Sequence, residues 1–100
     1  MYKRQGLLEE IGDVAFCGCR ALTAAVFPRS LKKLGGSAFY GSTGLESVTM
    51  PEDGLLEEIE ARAFRGCTAL TAVVLPRSLK KLGGSAFEGC TGLKLSLIHI

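Results

Sequence analysis

The sequence predicts a solenoid: short parallel β-strands joined by turns and short helical corners, wound into about four stacked rungs. Three observations carry that expectation. The string PRSLKKLGGSAF, followed by one residue and Gly, is written twice, at residues 28–41 and 76–89. Leu8, Leu31, Leu56 and Leu79 recur about every 23 residues, with two extra residues in the middle interval. With 47% of its 100 residues hydrophobic and 22% charged, the chain holds enough apolar material for one continuous core.

The remaining positions keep step with the leucines. Ile11, Leu34, Ile59 and Leu82 come first, followed by the pairs Ala15-Phe16, Ala38-Phe39, Ala63-Phe64 and Ala86-Phe87. Gly18, Gly41, Gly66 and Gly89 come next, then Cys19, Ser42, Cys67 and Cys90, then Leu22, Leu45, Leu70 and Leu93. Each copy then enters a short alternating segment. In the third, Leu70, Val73 and Leu75 point inward while Ala72 and Val74 point outward, as in a strand with one buried face. Pro28, Pro51 and Pro76 close these segments, because proline has no N–H to give to a ladder. The paired glycines, Gly83-Gly84 in the fourth copy, are expected to supply a backbone conformation that larger residues resist, and to deliver Ala86-Phe87 to a helical corner. Glu52-Asp53 accompany the two-residue insertion, with a turn expected through Gly54.

These residues carry a resemblance. The pattern L-x-x-I-x-x-x-A-F-x-G-C-x-x-L-x-x-V-x-L-P is similar to the leucine-rich repeat of the BspA type, and it recurs four times from Leu8 to Leu93. The resemblance implies a leucine-rich-repeat solenoid. It also implies a protein-binding repeat module, since relatives often act as surface proteins that attach to host or matrix proteins. Ser42 in place of Cys and Ala25 in place of a larger apolar residue are small departures.

The stacked aromatic positions, Phe16, Phe39, Phe64 and Phe87, should form a buried column. The two residues ahead of it also follow an order: Glu9-Glu10, Lys32-Lys33, Glu57-Glu58 and Lys80-Lys81. On stacked rungs each acidic pair meets basic neighbours, which favours correct register. The competing reading is an anion-binding stripe of Lys32, Lys33, Lys80, Lys81, Arg29 and Arg77. The interposed Glu57-Glu58 oppose it, and the net charge of only +2 supplies no strong field for nucleic acid, so no nucleic-acid partner is expected. No apolar run approaches the roughly 20 residues of a membrane-spanning helix, so no membrane insertion is expected of this segment either.

Four cysteines invite a metal or disulfide reading. Cys19, Cys67 and Cys90 fall at one repeat position, spread along the solenoid rather than converging as zinc ligands do, so a column of small buried thiols is expected and no metal. Cys67 and Cys90 lie on adjacent rungs, where parallel stacking gives poor bridge geometry, and reduced thiols follow. Cys17 lies off the column and should be exposed. Nothing suggests an enzyme or a cofactor: the one histidine, His99, is outside the repeats, and Gly35-Gly36-Ser37 and Gly83-Gly84-Ser85 lack the spacing and Gly-Lys of a phosphate loop.

The termini read differently. Met1-Tyr2-Lys3-Arg4-Gln5 can be encoded GTG TAT AAG AGA CAG, with GTG as a start codon, and the reverse complement encodes Leu-Ser-Leu-Ile-His, the residues from Leu95 to His99. One DNA element in two orientations thus accounts for both ends, and it resembles a transposase adaptor used in sequencing libraries. Residues 1–5 and 95–100 are therefore read as adaptor-derived, and residues 6–94 as a leucine-rich-repeat array belonging to a longer one. A closing strand over residues 95–100 is the alternative.

Two function classes stay open. The array is either a protein-binding module of a surface or adhesion protein, or a structural spacer or intracellular scaffold. In the first case the candidate surface is the outward strand face of Ala24, Val26, Ser47, Thr49, Ala72 and Val74, whose small neutral side chains suit broad contact with a protein. Uncapped apolar rungs at both ends also predict end-to-end self-association.

Overall fold

The computed structural model describes residues 8–51 and 53–93. The chain runs through four rungs that begin at Leu8, Leu31, Leu56 and Leu79. Its strands are β1 (Glu10–Ile11), β2 (Ala24–Val26), β3 (Lys33–Leu34), β4 (Ser47–Thr49), β5 (Glu58–Ile59), β6 (Ala72–Val73) and β7 (Lys81–Leu82). They form two parallel sheets, one of four strands in the order β1-β3-β5-β7 and one of three in the order β2-β4-β6. Every hydrogen-bonded neighbour is thus the equivalent strand of the next rung, as the repeat predicts.

The sequence reading places one strand in each copy, and the structure adds a second. Strands of two residues such as β1 and β3 are too short to display an alternating pattern. Their register nevertheless follows the charge order: Glu10 lies opposite Lys33, Lys33 opposite Glu58, and Glu58 opposite Lys81. The two inserted residues leave this register intact. The Gly54 N–H donates to the Pro51 carbonyl at 3.0 Å, which places a turn where it was anticipated.

No helix occurs among the described residues, so the expected helical corners are turns instead. In the second rung Ala38 N–H bonds to the Gly35 carbonyl at 3.3 Å and Ser42 N–H to the Phe39 carbonyl at 3.1 Å. The third residue of each turn has a left-handed backbone, Ser37 at φ 56° and Gly41 at φ 71°. That conformation is what a type II turn requires, and its return every four residues prevents a helix from starting. Val14, Arg62 and Ser85 repeat the first of these positions, with φ between 52° and 61°.

The paired glycines have a different task from the one expected. Neither Gly35 nor Gly83 has positive φ; instead, a Cβ on Gly35 would sit 2.6 Å from the Asp13 backbone nitrogen, and one on Gly83 would collide with Ala61. Close approach of the rung below, rather than backbone freedom, excludes larger residues there.

Stacking these turns delivers the aromatic column. Phe16, Phe39, Phe64 and Phe87 stack in order with ring centroids 5.1, 5.3 and 5.3 Å apart. Only the inner two rings are enclosed: Phe16 is 39% exposed and Phe87 half-buried, because each lacks a described rung on one side. Phe27 covers Phe39 from the strand side with its ring centroid at 5.9 Å. Beside the rings, Leu34, Leu45, Ile59 and Leu70 are fully buried.

The Ser/Cys position is more than a small apolar plug. Ser42 Oγ donates to the Phe16 carbonyl at 2.8 Å, Cys67 Sγ to that of Phe39 at 3.1 Å, and Cys90 Sγ to that of Phe64 at 3.0 Å. Serine and cysteine interchange because both donate from the same length of side chain. Burial is the main cause that pushes the Cys67 thiol up from 9.0 to about 12, with neighbouring Cys90 adding to it and a hydrogen bond from the Ser42 backbone working against it. Burial raises Cys90 as well. All four thiols are free.

Two outcomes follow. Phe64→Ala removes the ring between Phe39 and Phe87 and is expected to cost about 3–5 kcal/mol, a large share of the roughly 5–15 kcal/mol that holds a domain of ordinary stability. Urea unfolding should lose its cooperative transition, and a wild-type curve would refute the column. Alkali should also weaken the fold. Unfolded Cys67 ionises near 9.0 while the folded thiol keeps its proton to about 12, so stability falls as pH rises through that window. Cys67→Ser keeps the donor but not the titration, so its melting temperature should fall less between those pH values than that of the unsubstituted chain.

Candidate functional site

Strands β2, β4 and β6 present alternate side chains to opposite faces. Ala25, Val48 and Val73 point inward and are buried, while Ala24, Val26, Ser47 and Thr49 point outward and are exposed. Register sets these into rows: Ala24 lies opposite Ser47, Ser47 opposite Ala72, and Val26 opposite Thr49. Val74 follows directly after β6 and is 43% exposed, while Val26 is 74% exposed. Parallel neighbours lie about 4.8 Å apart, so the outward side chains of β2 and β4 make an uncharged surface, with Val74 beyond them.

Proline shapes the border of this face. Beyond β2 the chain turns at Pro28, where the Leu31 N–H bonds to the Pro28 carbonyl at 3.2 Å, and beyond β6 the Leu79 N–H bonds likewise to Pro76. Arg29 and Asp53 meet at 3.3 Å on this border with side chains at least 70% exposed, so the pair contributes little to stability.

Three of the six basic residues of the competing stripe, Arg29, Lys80 and Lys81, are each paired with an acid. Lys80 meets Glu57 at 3.8 Å, and Lys81 meets Glu60 at 3.7 Å rather than its strand partner Glu58. Phosphate recognition at Gly35-Gly36-Ser37 is also opposed, because the Gly36 N–H already donates to Asp13 Oδ1 at 2.8 Å. Among the described residues no group of three or more His, Cys, Asp or Glu converges as a metal site would. Cys17 is exposed and Cys19 partly buried. His99 and the remainder of residues 94–100 lie outside the described residues, as do residues 1–7 and Glu52.

A second exposed column was missed in the sequence. Tyr40, Arg65 and Glu88 follow the aromatic position on successive rungs; the Arg65 guanidinium lies 5.7 Å from the centre of the Tyr40 ring and its Nε 3.3 Å from Glu88. The available signal was the repeat phase itself, since Tyr40, Arg65 and Glu88 each stand one residue past a stacked Phe.

Known proteins place this architecture. A family model of the BspA type leucine rich repeat region, six copies long, matches residues 6–99. The solved structure of the pneumococcal vaccine antigen PcpA is similar at TM-score 0.87 and 34% identity, over 97% of this chain and 24% of that one. A leucine rich cell surface protein from Faecalibacterium prausnitzii A2-165 is similar at TM-score 0.79 and 30% identity, over 86% of this chain and 22% of that one. The leucine rich repeat protein of T. pallidum is similar at TM-score 0.62 and 30% identity, over 85% of this chain and 50% of its own length. A search of curated proteins finds no match. The chain thus spans about a quarter of the first two solved relatives and half of the third. With the repeat phase, the two parallel ladders and the family match in agreement, this chain belongs to the BspA-type leucine-rich-repeat family.

Proposed function

We propose that the array is a protein-binding module of a surface-displayed protein, and that its partner docks on the outward face formed by Ala24, Val26, Ser47, Thr49, Ala72 and Val74. The observation that carries this reading is the exposure of Val26 and Val74, at 74% and 43%, on a strand face free of charged side chains. Such a face desolvates at low cost, and its β-branched residues hold few alternative rotamers, so docking orders little that is not already ordered. The relatives support display at a surface: one is a cell surface protein and another a vaccine antigen. The partner class that suits the face is an extracellular host or matrix protein, held by shape and apolar contact rather than by charge. The proposed face holds no titratable side chain that could serve Ser47 or Thr49 as a general base, which favours binding over catalysis.

The test is capture on immobilised extracellular-matrix proteins, using the array with its natural flanking sequence. Val26→Glu and Val74→Glu should each weaken binding by about tenfold or more, since a charge within the contact is left desolvated without a partner, while leaving the melting temperature within a few degrees. Binding that survives both substitutions would place the partner elsewhere. No binding at all would remove the adhesion reading and leave a spacer.

A further inference from the structure

We infer that the rungs of this array are of two complementary kinds, and that the array accepts added rungs only in pairs, one of each kind. The kinds are written in the five residues that follow the leading leucine. The first and third rungs read Glu9-Glu10-Ile11-Gly12-Asp13 and Glu57-Glu58-Ile59-Glu60-Ala61, while the second and fourth read Lys32-Lys33-Leu34-Gly35-Gly36 and Lys80-Lys81-Leu82-Gly83-Gly84. Charge, branching of the apolar residue and the presence of a glycine pair alternate together. Sequence identity also follows the pair: residues 54–59 repeat residues 6–11, just as residues 76–87 repeat residues 28–39.

The junctions inside the array differ accordingly. Where a basic rung follows an acidic one the backbones come close: the Gly35 N–H reaches the Ile11 carbonyl at 2.7 Å and the Gly83 N–H that of Ile59 at 2.6 Å, against 2.9 Å for the Glu60 N–H to Leu34. At these two close junctions a Cβ on Gly35 would stand 2.6 Å from the Asp13 nitrogen, and one on Gly83 would collide with that of Ala61. Between the second and third rungs the constraint is relaxed. Glu60 carries a side chain there, and even a Cβ added to Gly36 would stand 4.0 Å from the Glu60 Cβ. Acids of one kind also serve the other: Asp13 Oδ1 accepts from the Gly36 N–H at 2.8 Å, Glu57 meets Lys80 at 3.8 Å, and Glu60 meets Lys81 at 3.7 Å. One extra rung must set two of the same kind together. Two acidic rungs would oppose Glu57-Glu58 to their own copy, and would bring a Glu60 side chain against a Glu60-Ala61 backbone where Gly83 now fits. An added pair keeps both alternations, so the reach of the outward strand face changes two rungs at a time.

Thermal melting of chains with insertions inside the array, both termini unchanged, tests this. A second copy of residues 29–76 placed after Pro76 adds one basic and one acidic rung in alternation, and should raise the melting temperature by about 5 °C or more, since each matched junction adds stability. A second copy of residues 54–76 alone, at the same place, sets acid on acid and should melt no higher than the parent chain. Within that copy Glu57→Gln, Glu58→Gln and Glu60→Gly together remove the like charges and the crowding Cβ, and should lift the melting temperature above that of the parent. Point variants of the 100-residue chain read the same alternation without an insertion. Glu58→Lys sets a third lysine between Lys33 and Lys81 and should melt lower than Glu58→Gln at low salt, the difference shrinking at about 1 M salt. Stabilisation by the acidic copy alone equal to that by the pair overturns the inference. So does a pair that fails to stabilise, a neutral glycine copy that melts no higher than the unaltered one, or Glu58→Lys and Glu58→Gln chains that melt alike at low salt.

Discussion

The hydrogen-bond ladder between rungs is the constraint on which the rest of this structure depends. At the corners each rung gives its N–H groups to the next, as in Phe16 to Ala38, Phe39 to Ala63 and Phe64 to Ala86 at 2.7–2.8 Å. On the strand side bonds run both ways, with Phe27 N–H to the Thr49 carbonyl and Glu46 N–H to that of Thr23. Buried backbone groups left unpaired are costly, so every rung must present donors and acceptors at the same heights as its neighbours. Equal repeat length follows, and the two-residue insertion leaves the register from β3 to β5 and from β4 to β6 unchanged. Side chains inherit this order. Rings at equivalent positions must lie about one strand spacing apart, and flat stacking of phenylalanines is the arrangement that fits that distance.

The same closeness explains residues with no apolar role. Gly35 and Gly83 lie where the rung below approaches within the space of a methyl group. Ser42, Cys67 and Cys90 reach across to the carbonyl of the preceding phenylalanine, adding one more bond per interface beside the rings. Ser30 and Ser78 do likewise on the other side, donating to the carbonyls of Leu8 and Leu56 at 2.6 Å. Stability therefore accumulates interface by interface, and an inner rung has two interfaces to lose where an outer one has a single described neighbour.

Period, inward residues, the aromatic stack and the strand register of the charges were legible in the sequence because each is a property of the repeat. What was not legible depends on the distance between rungs. Gly83 read as a conformational hinge, since a single chain displays backbone freedom but not the approach of Ala61. The corners read as helical because Ala-Phe pairs favour compact structure. The left-handed Ser37, Arg62 and Ser85 carry no residue signal that distinguishes them from neighbours. Cys67 read as a plug because its acceptor lies 28 residues away along the chain. The outward face was legible as alternation, yet its chemistry carries no ligand signature: Ala24, Ser47 and Thr49 satisfy solvent as well as they would a partner.

Where the array can carry recognition follows from where the ladder leaves it free. Positions that face the next rung are held to Leu, Ile, Ala, Phe, Gly and Cys by packing, and they cannot encode a partner without disturbing their neighbours. Positions that face solvent vary: Val26, Thr49 and Val74 on the strand face, and Cys17, Tyr40, Arg65 and Glu88 beyond the rings. The duplicated segments make the point sharply. Across residues 28–41 and 76–89 the copies differ at one position alone, Tyr40 against Glu88. That position is exposed in both, and Arg65 bridges the two, lying over the ring of one and against the carboxylate of the other. Between two otherwise identical copies, the one difference sits where the ladder makes no demand, so individuality in this solenoid belongs to the side chains that point away from the stack.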